Sequence, residues 1–252
     1  MLYGLYISAT GMQVNETRMS VNANNLANVN TTGFKLDAVT VGPMAREAQS
    51  GSDPATLAAL GAGVHVTRTI TQFQAGPMNP TGQPLDLALD TGSVADGFLG
   101  VAGSDGKPTW TRDGRLTLDS TGRLATQAGL HPVLDDAGQP ITIDPAGGKI
   151  SIDPTGHVRQ NGSDLATLKL ATFEQPDQLV KQGVSQFQQS PSAKVSPFRG
   201  RVVQGQLEGS AADPTNLLVQ MIQVQRAYEA NANMIHCQDE TLASAVSQIA
   251  KL

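Results

Sequence analysis

The sequence is poor in the residues from which enzymes and nucleic-acid binders usually build their sites. Only 15% of its 252 residues are charged, the net charge is −5, and the 17 Lys and Arg are scattered, with Arg199 and Arg201 the nearest approach to a patch. Binding a string of phosphates needs a basic cluster, so no nucleic-acid partner is expected. The single cysteine, Cys237, rules out an intramolecular disulfide framework. Aromatic residues make up 4% of the chain, with one tryptophan, Trp110, which predicts a small aliphatic core for any β structure. No stretch approaches the ~20 apolar residues of a membrane span. No Lys or Arg precedes Arg18, and Gly4, Ser8, Thr10 and Gly11 interrupt the apolar residues, so the N-terminus does not read as a cleaved secretory leader.

The chemistry-bearing motifs are equally sparse. His65, His131, His157 and His236 have no metal-ligand spacing to one another, and His236 with Glu240 makes two candidate ligands without a third. Gly61-Ala62-Gly63 leads into a strand rather than opening a helix, which is wrong for a phosphate loop. One local match stands out: Asp90-Thr91-Gly92-Ser93 after Leu87-Ala88-Leu89 has the form of an aspartic-protease loop. That mechanism needs a second carboxylate ~3 Å away. The chain has no second Asp-Thr-Gly, so only a homodimer would supply it, and an ordinary β turn explains the same residues. No catalytic residue, cofactor site or metal site is expected, and the protein is not expected to be an enzyme.

What the chain does have is a helix at each end. From residue 1 to about 29, Leu5, Ala9, Met12, Glu16, Met19, Ala23 and Leu26 recur at alternating spacings of four and three, broken only by Glu16. From about 214 to 252 the same alternation runs through Met221, Val224, Tyr228, Asn231, Ile235, Gln238, Leu242, Ala245 and Ile249. Asn231 and Gln238 are polar intruders that would fix register. Asp213-Pro214 is a start signal, an N-cap followed by proline at the first helical position. Asn30-Thr31-Thr32-Gly33 is turn chemistry, so the first helix should end near Asn28.

Between the helices the period changes to two. An extended connector is expected over residues 36–73, with one helical turn at Ala55–Leu60 and a half-buried strand from Val64 to Ile70. Beyond it come Leu85/Leu87/Leu89, Leu116/Leu118, Ile141/Ile143, Ile150/Ile152, Leu168/Leu170 and Val202/Val203/Leu207. Turn signals separate them at Asp105-Gly106, Asp113-Gly114, Asp119–Gly122 and Asp136–Gly138. The expected class is α+β. Residues 1–35 and 206–252 form a discontinuous, coiled-coil-like helical assembly domain flanking a mainly antiparallel β barrel or sandwich at 74–205.

Three segments carry a family resemblance. The stretch from Ala23 to Lys35, Ala-Asn-Asn-Leu-Ala-Asn-Val-Asn-Thr-Thr-Gly-Phe-Lys, closely resembles the flagellar rod, hook and hook-associated protein family. Thr81-Gly82-Gln83-Pro84-Leu85-Asp86-Leu87-Ala88-Leu89 and Thr111-Arg112-Asp113-Gly114 are similar to its middle segments. Gln204–Ser210 and Met221–Asn231 are similar to its C-terminal part. Where the family usually continues with Gly-x-Gly-Phe-Phe, this chain has Val94-Ala95-Asp96-Gly97-Phe98-Leu99, a departure that bears on residues 90–100. Within the family, length leaves the F type of proximal rod subunit and the distal G type; the His131–Ile141 segment and the short connector between Lys35 and Gly61 favour the F type, with the G type next.

The resemblance implies a structural subunit of the bacterial flagellar basal-body rod, the periplasmic drive shaft carrying torque from motor to hook. It implies export through the flagellar type III apparatus without a cleaved signal. The implied partners are copies of the chain and neighbouring rod proteins. The expected assembly residues are Leu5, Ala9, Met12, Met19, Asn24, Asn25, Leu26, Asn28, Gly33, Met221, Val224, Tyr228, Ile235, Leu242 and Ile249. Two alternatives stand beside it: a homodimeric aspartic protease using Asp90, and a periplasmic adaptor that binds through its helices without polymerising.

Overall fold

The computed structural model describes residues 2–44, 63–92, 94, 96–103 and 106–249, so the helical turn expected at Ala55–Leu60 lies outside the described residues. The chain divides into two compact units: Met1–Ala27 with Asp37–Ile70 and Asp213–Leu252, and Asn28–Leu36 with Thr71–Ala212.

The first unit holds the N-terminal helix, Leu2–Ala27, and the C-terminal helix, Pro214–Ile249. The latter starts as its sequence dictates: the Asp213 carboxylate accepts from Thr215 N at 2.9 Å, while Asp213 O accepts the first helical bond from Leu217 N at 3.0 Å. Residues 36–73 carry two strands, Leu36–Pro43 and Val64–Gln72, which pair with each other. The Asn25 side chain is buried and acts as a piece of backbone. Its Nδ2 donates to Asp37 O at 2.8 Å and its Oδ1 accepts from Asp37 N at 3.0 Å.

The second unit is built on an open six-stranded antiparallel sheet, in the order Val180–Gln182, Gln186–Gln188, Pro108–Thr111, Gly97–Ala102, Leu170–Phe173, Val195–Pro197. A three-stranded sheet and two-stranded pairs complete it. The expected barrel does not close. The two edge strands are three residues long, and Pro197 on one of them has no N–H to offer a further neighbour.

Alternation along Gly97–Ala102 sends side chains to two different cores. Leu99 and Val101 join an aliphatic cluster with Leu87, Leu124, Val133, Ile143, Val158 and Leu168. Phe98 points the other way, into a second cluster with Trp110, Phe173 and Phe187, closed by Phe73. The core is therefore not only the small aliphatic one expected. Five rings meet edge-on or tilted at centroid distances of 5.2–5.8 Å. Where the chain departs from the family pattern, Phe98 fills the aromatic side and Leu99 the aliphatic one.

Two of the turns repeat one device. Asp119 Oδ1 accepts from Thr121 N (2.8 Å), Thr121 Oγ1 (2.6 Å) and Arg123 N (2.9 Å). Asp153 does the same with Thr155 N (2.9 Å), Thr155 Oγ1 (2.6 Å) and His157 N (3.0 Å). These bonds, the threonine hydroxyls first, hold both carboxyls below the usual range, that of Asp153 at about 2.

Candidate functional site

The C-terminal helix presents a single long stripe. Met221, Val224, Tyr228, Asn231, Ile235, Gln238, Leu242 and Ala245 are all half-buried, whereas Leu218, Val219, Ile222 and Met234 beside them are about half exposed. Ile249 is the last residue of the helix.

The N-terminal helix meets this stripe on a line one residue ahead of its apolar one. A Cβ on Gly4 would lie 2.5 Å from Gln238 Nε2, and one on Gly11 would lie 2.9 Å from Asn231 Nδ2. The two contacts run in opposite senses along the two helices, so the pair is antiparallel. On the same seven-residue line Ser8 and Asn15 are buried, as is Asn25 near its end. The polar intruders of one helix thus sit in the glycine gaps of the other. A slip of one heptad would fill only one of the two gaps.

The apolar stripe is left beside that line. Leu5, Met12, Met19 and Leu26 are half-buried, and Ala9 and Glu16 are exposed. Asn24 is exposed at the helix end, while Asn28 accepts a hydrogen bond from Thr31 Oγ1 at 3.1 Å and opens the turn into Gly33.

A Leu side chain at position 11 has no room while Asn231 occupies the gap. Gly11→Leu should therefore lower the stability of the helical unit despite the ~1 kcal/mol gained by removing glycine from a helix. In an Asn231→Ala background the same change should become stabilising. Thermal melts followed by helical circular dichroism would show this reversal of sign.

In the β unit, the segments by which the chain arrives and leaves are fastened at one buried carboxylate. Lys35, Arg112 and Glu208 have relative exposures of 0%, 3% and 1%. Lys35 Nζ donates to Glu208 Oε1 at 2.6 Å and to Gln74 O at 2.8 Å. Arg112 Nη1 donates to Glu208 Oε2 at 2.5 Å, and its other nitrogens reach Gly97 O and Thr91 Oγ1, both at 2.7 Å. Gly76 N donates to Glu208 Oε1 at 3.0 Å, and Gly33 N to Glu208 O at 2.9 Å.

The backbone around this knot is fitted to it. Gly33 has φ +66°, and a Cβ there would lie 2.5 Å from the Arg112 carbonyl carbon. Phe34 is fully buried under Lys181 Nζ, 4.3 Å from the ring centroid, and the same ammonium donates to Lys35 O at 2.9 Å. Burial pulls the Lys35 ammonium down to about 8, against the pull of Glu208. Glu208 itself is held below the usual carboxylate range; burial opposes this, and Arg112 and Lys35 outweigh it.

Sequence reasoning named Gly33 but not these three charges. The available signal was that each stands inside a segment carrying the resemblance.

Asp90 has the environment of a turn residue. Its Oδ2 pairs with Arg201 at 2.8 Å, its Oδ1 accepts from Gly92 N at 3.2 Å, and the Arg201 bond leads in lowering its pKa. A protease dyad needs the reverse, a carboxyl that shares a proton. His236, Glu240 and Cys237 are exposed on the C-terminal helix. Among the described residues no group of three or more His, Cys, Asp or Glu is placed to hold a metal ion, and no helix is long and apolar enough to cross a membrane.

Three family models match the chain. They are described as flagella basal body rod protein over residues 5–35, flagellar hook protein FlgE/F/G D1 domain over 94–160, and flagellar basal body rod FlgEFG protein C-terminal over 203–249. Lys35, Arg112 and Glu208 fall one in each. The flagellar basal-body rod protein FlgF of Caulobacter vibrioides is 32% identical over 252 residues, with 98% of each chain covered. FlgG of Bacillus subtilis is 32% identical over 267 residues, covering 98% of this chain and 99% of the relative. FlgG of Buchnera aphidicola subsp. Schizaphis graminum is 30% identical over 260 residues, covering 96% and 98%. Matched by these models over most of both helices and part of the β unit, and by these relatives over nearly its whole length, the chain belongs to the flagellar basal-body rod protein family, in its F or G branch, and is a structural subunit of the rod.

Proposed function

We propose that this subunit is of the F type and builds the periplasmic part of the rod by packing its terminal helices, coiled-coil fashion, against those of further copies and neighbouring rod proteins. One observation carries this. The two helices pair through a line of small and polar residues and leave Leu5, Met12, Met19 and Leu26 only half covered. Leu218, Val219 and Ile222 lie about half exposed at the start of the other helix. Apolar surface spread in this way along two long helices is what an assembling shaft needs and what a solitary subunit would hide.

The F type is favoured by length. The alignments to these two G-type relatives run over 267 and 260 residues, longer than this chain, whereas those to F-type relatives run over 252, 235 and 253. Export through the flagellar type III apparatus, without a cleaved signal, follows from the same assignment. Torque would then pass through the packed helices.

Copy number separates this reading from the non-polymerising adaptor. Basal bodies purified from cells carrying a tagged chain should contain several copies each. A chain recovered only from the soluble periplasm, or at one copy per basal body, would favour the adaptor.

A further inference from the structure

Asp86 is a buried carboxylate that its own chain leaves unanswered. It is 7% exposed, yet among the described residues no group donates to its carboxylate or forms an ion pair with it. Its backbone is fully used: Asp86 N donates to Gln83 O at 3.2 Å, and Asp86 O accepts from Gly205 N at 2.8 Å. Arg115 faces it across an isolated bridge, but the Arg115 side chain is exposed. Asp113 nearby is 6% exposed, and burial holds its carboxyl above the usual range, with the Asp86 charge adding to the push. A buried carboxylate normally finds a cation or several amide donors. Asp86 has neither.

Leu87 enters the aliphatic cluster, so the pleat of the strand turns Asp86 to the opposite face. There Asp86 lines a cleft of about 460 Å³ within the β unit. Leu85, Leu116 and Leu207 give the cleft apolar walls, and Thr117 and Gln127 add polar groups. Apolar walls leading to a lone carboxylate fit an alkyl stem with a cation at its tip. With both carboxylate oxygens open, the best match is a guanidinium, which binds a carboxylate through two parallel N–H···O bonds. An ammonium is a more strongly hydrated point charge and suits such a recess less well.

We propose that this cleft binds an arginine side chain presented by a neighbouring protein in the rod, its stem against the leucines and its guanidinium on Asp86. The remaining guanidinium N–H groups are met by Thr117 and Gln127. The rod neighbour as the source of the arginine rests on the assembly proposed above; the affinity of the cleft for a guanidinium does not.

The test titrates the isotope-labelled full chain with N-acetyl-arginine amide and, separately, with its uncharged isostere N-acetyl-citrulline amide. The backbone amide signals of Leu116, Thr117 and Gln127 should shift saturably with the arginine probe, and citrulline should bind about tenfold more weakly or worse. N-acetyl-lysine amide should also bind more weakly; tighter binding would overturn the choice of arginine. Asp86→Asn should melt no lower than the unaltered protein, because no native partner is lost. It should nevertheless bind the arginine probe about tenfold less tightly and fall several-fold in copies per basal body. Equal affinity for arginine and citrulline, or unchanged affinity in Asp86→Asn, would overturn the site. Charge-dependent binding with a full copy number in Asp86→Asn would overturn the rod neighbour as the source. Absence of the unaltered chain from basal bodies would overturn the rod reading and the neighbour with it, while probe binding persisted.

Discussion

Replacing Glu208 by alanine is expected to cost the β unit most of its stability. The carboxylate neutralises two buried cations, receives the Gly76 amide, and lies where the segments around Gly33, Gln74 and Glu208 meet. Removing one partner of a buried ion pair costs ~3–5 kcal/mol, and here two cations would be orphaned at once. A domain's whole stability is only ~5–15 kcal/mol. The melting temperature of the β unit should fall on the order of 10 °C or more, read by the near-ultraviolet signal of Trp110 in its aromatic cluster. Glu208→Gln should fall less, because the amide keeps a hydrogen-bond acceptor for Gly76. Equal melting of Glu208→Ala and the unaltered protein would mean that the knot contributes no net stability.

The same cluster gives the β unit a pH signature. Lys35 loses its proton near 8 when folded and near its ordinary 10.5 when unfolded, so the unfolded chain binds more protons in that window. Stability should therefore rise between about pH 8 and 10.5, by on the order of 3 kcal/mol from this group. Glu208 acts on the acid side. Its folded pKa is depressed, so its contribution is present above the usual carboxylate range and is lost as pH falls through the folded value.

The elements easiest to read from sequence were those fixed by neighbours in the chain. Asp213-Pro214 starts the last helix, Gly33 takes its left-handed turn, and the half-buried positions of the C-terminal helix follow its four-three spacing. The contact line of the first helix was not legible. Hydrophobicity draws attention to Leu5, Met12 and Met19, whereas close approach of two helices selects Gly4, Ser8 and Gly11, whose value lies in what they lack. The β unit hid its arrangement for a different reason. Glu208 lies 173 residues from Lys35 and 96 from Arg112, and the aromatic core gathers rings from Phe73 to Phe187. No local pattern encodes such pairings, and strands of three or four residues carry too few alternations to tell an open sheet from a barrel.

The central claim is that the helical stripe carries assembly while the β unit folds on its own account, and Ile235→Asp tests it most directly. Ile235 is half-buried between Asn231 and Gln238, the two side chains that fill the glycine gaps. A carboxylate there brings a charge into the half-buried seam of the helix pair, a costly kind of substitution. The measurement is the number of copies of the tagged variant per purified basal body, taken beside the melting temperature of its β unit. The account predicts no copies, non-motile cells and a β unit that melts as before; a normal copy number with normal swimming would contradict it.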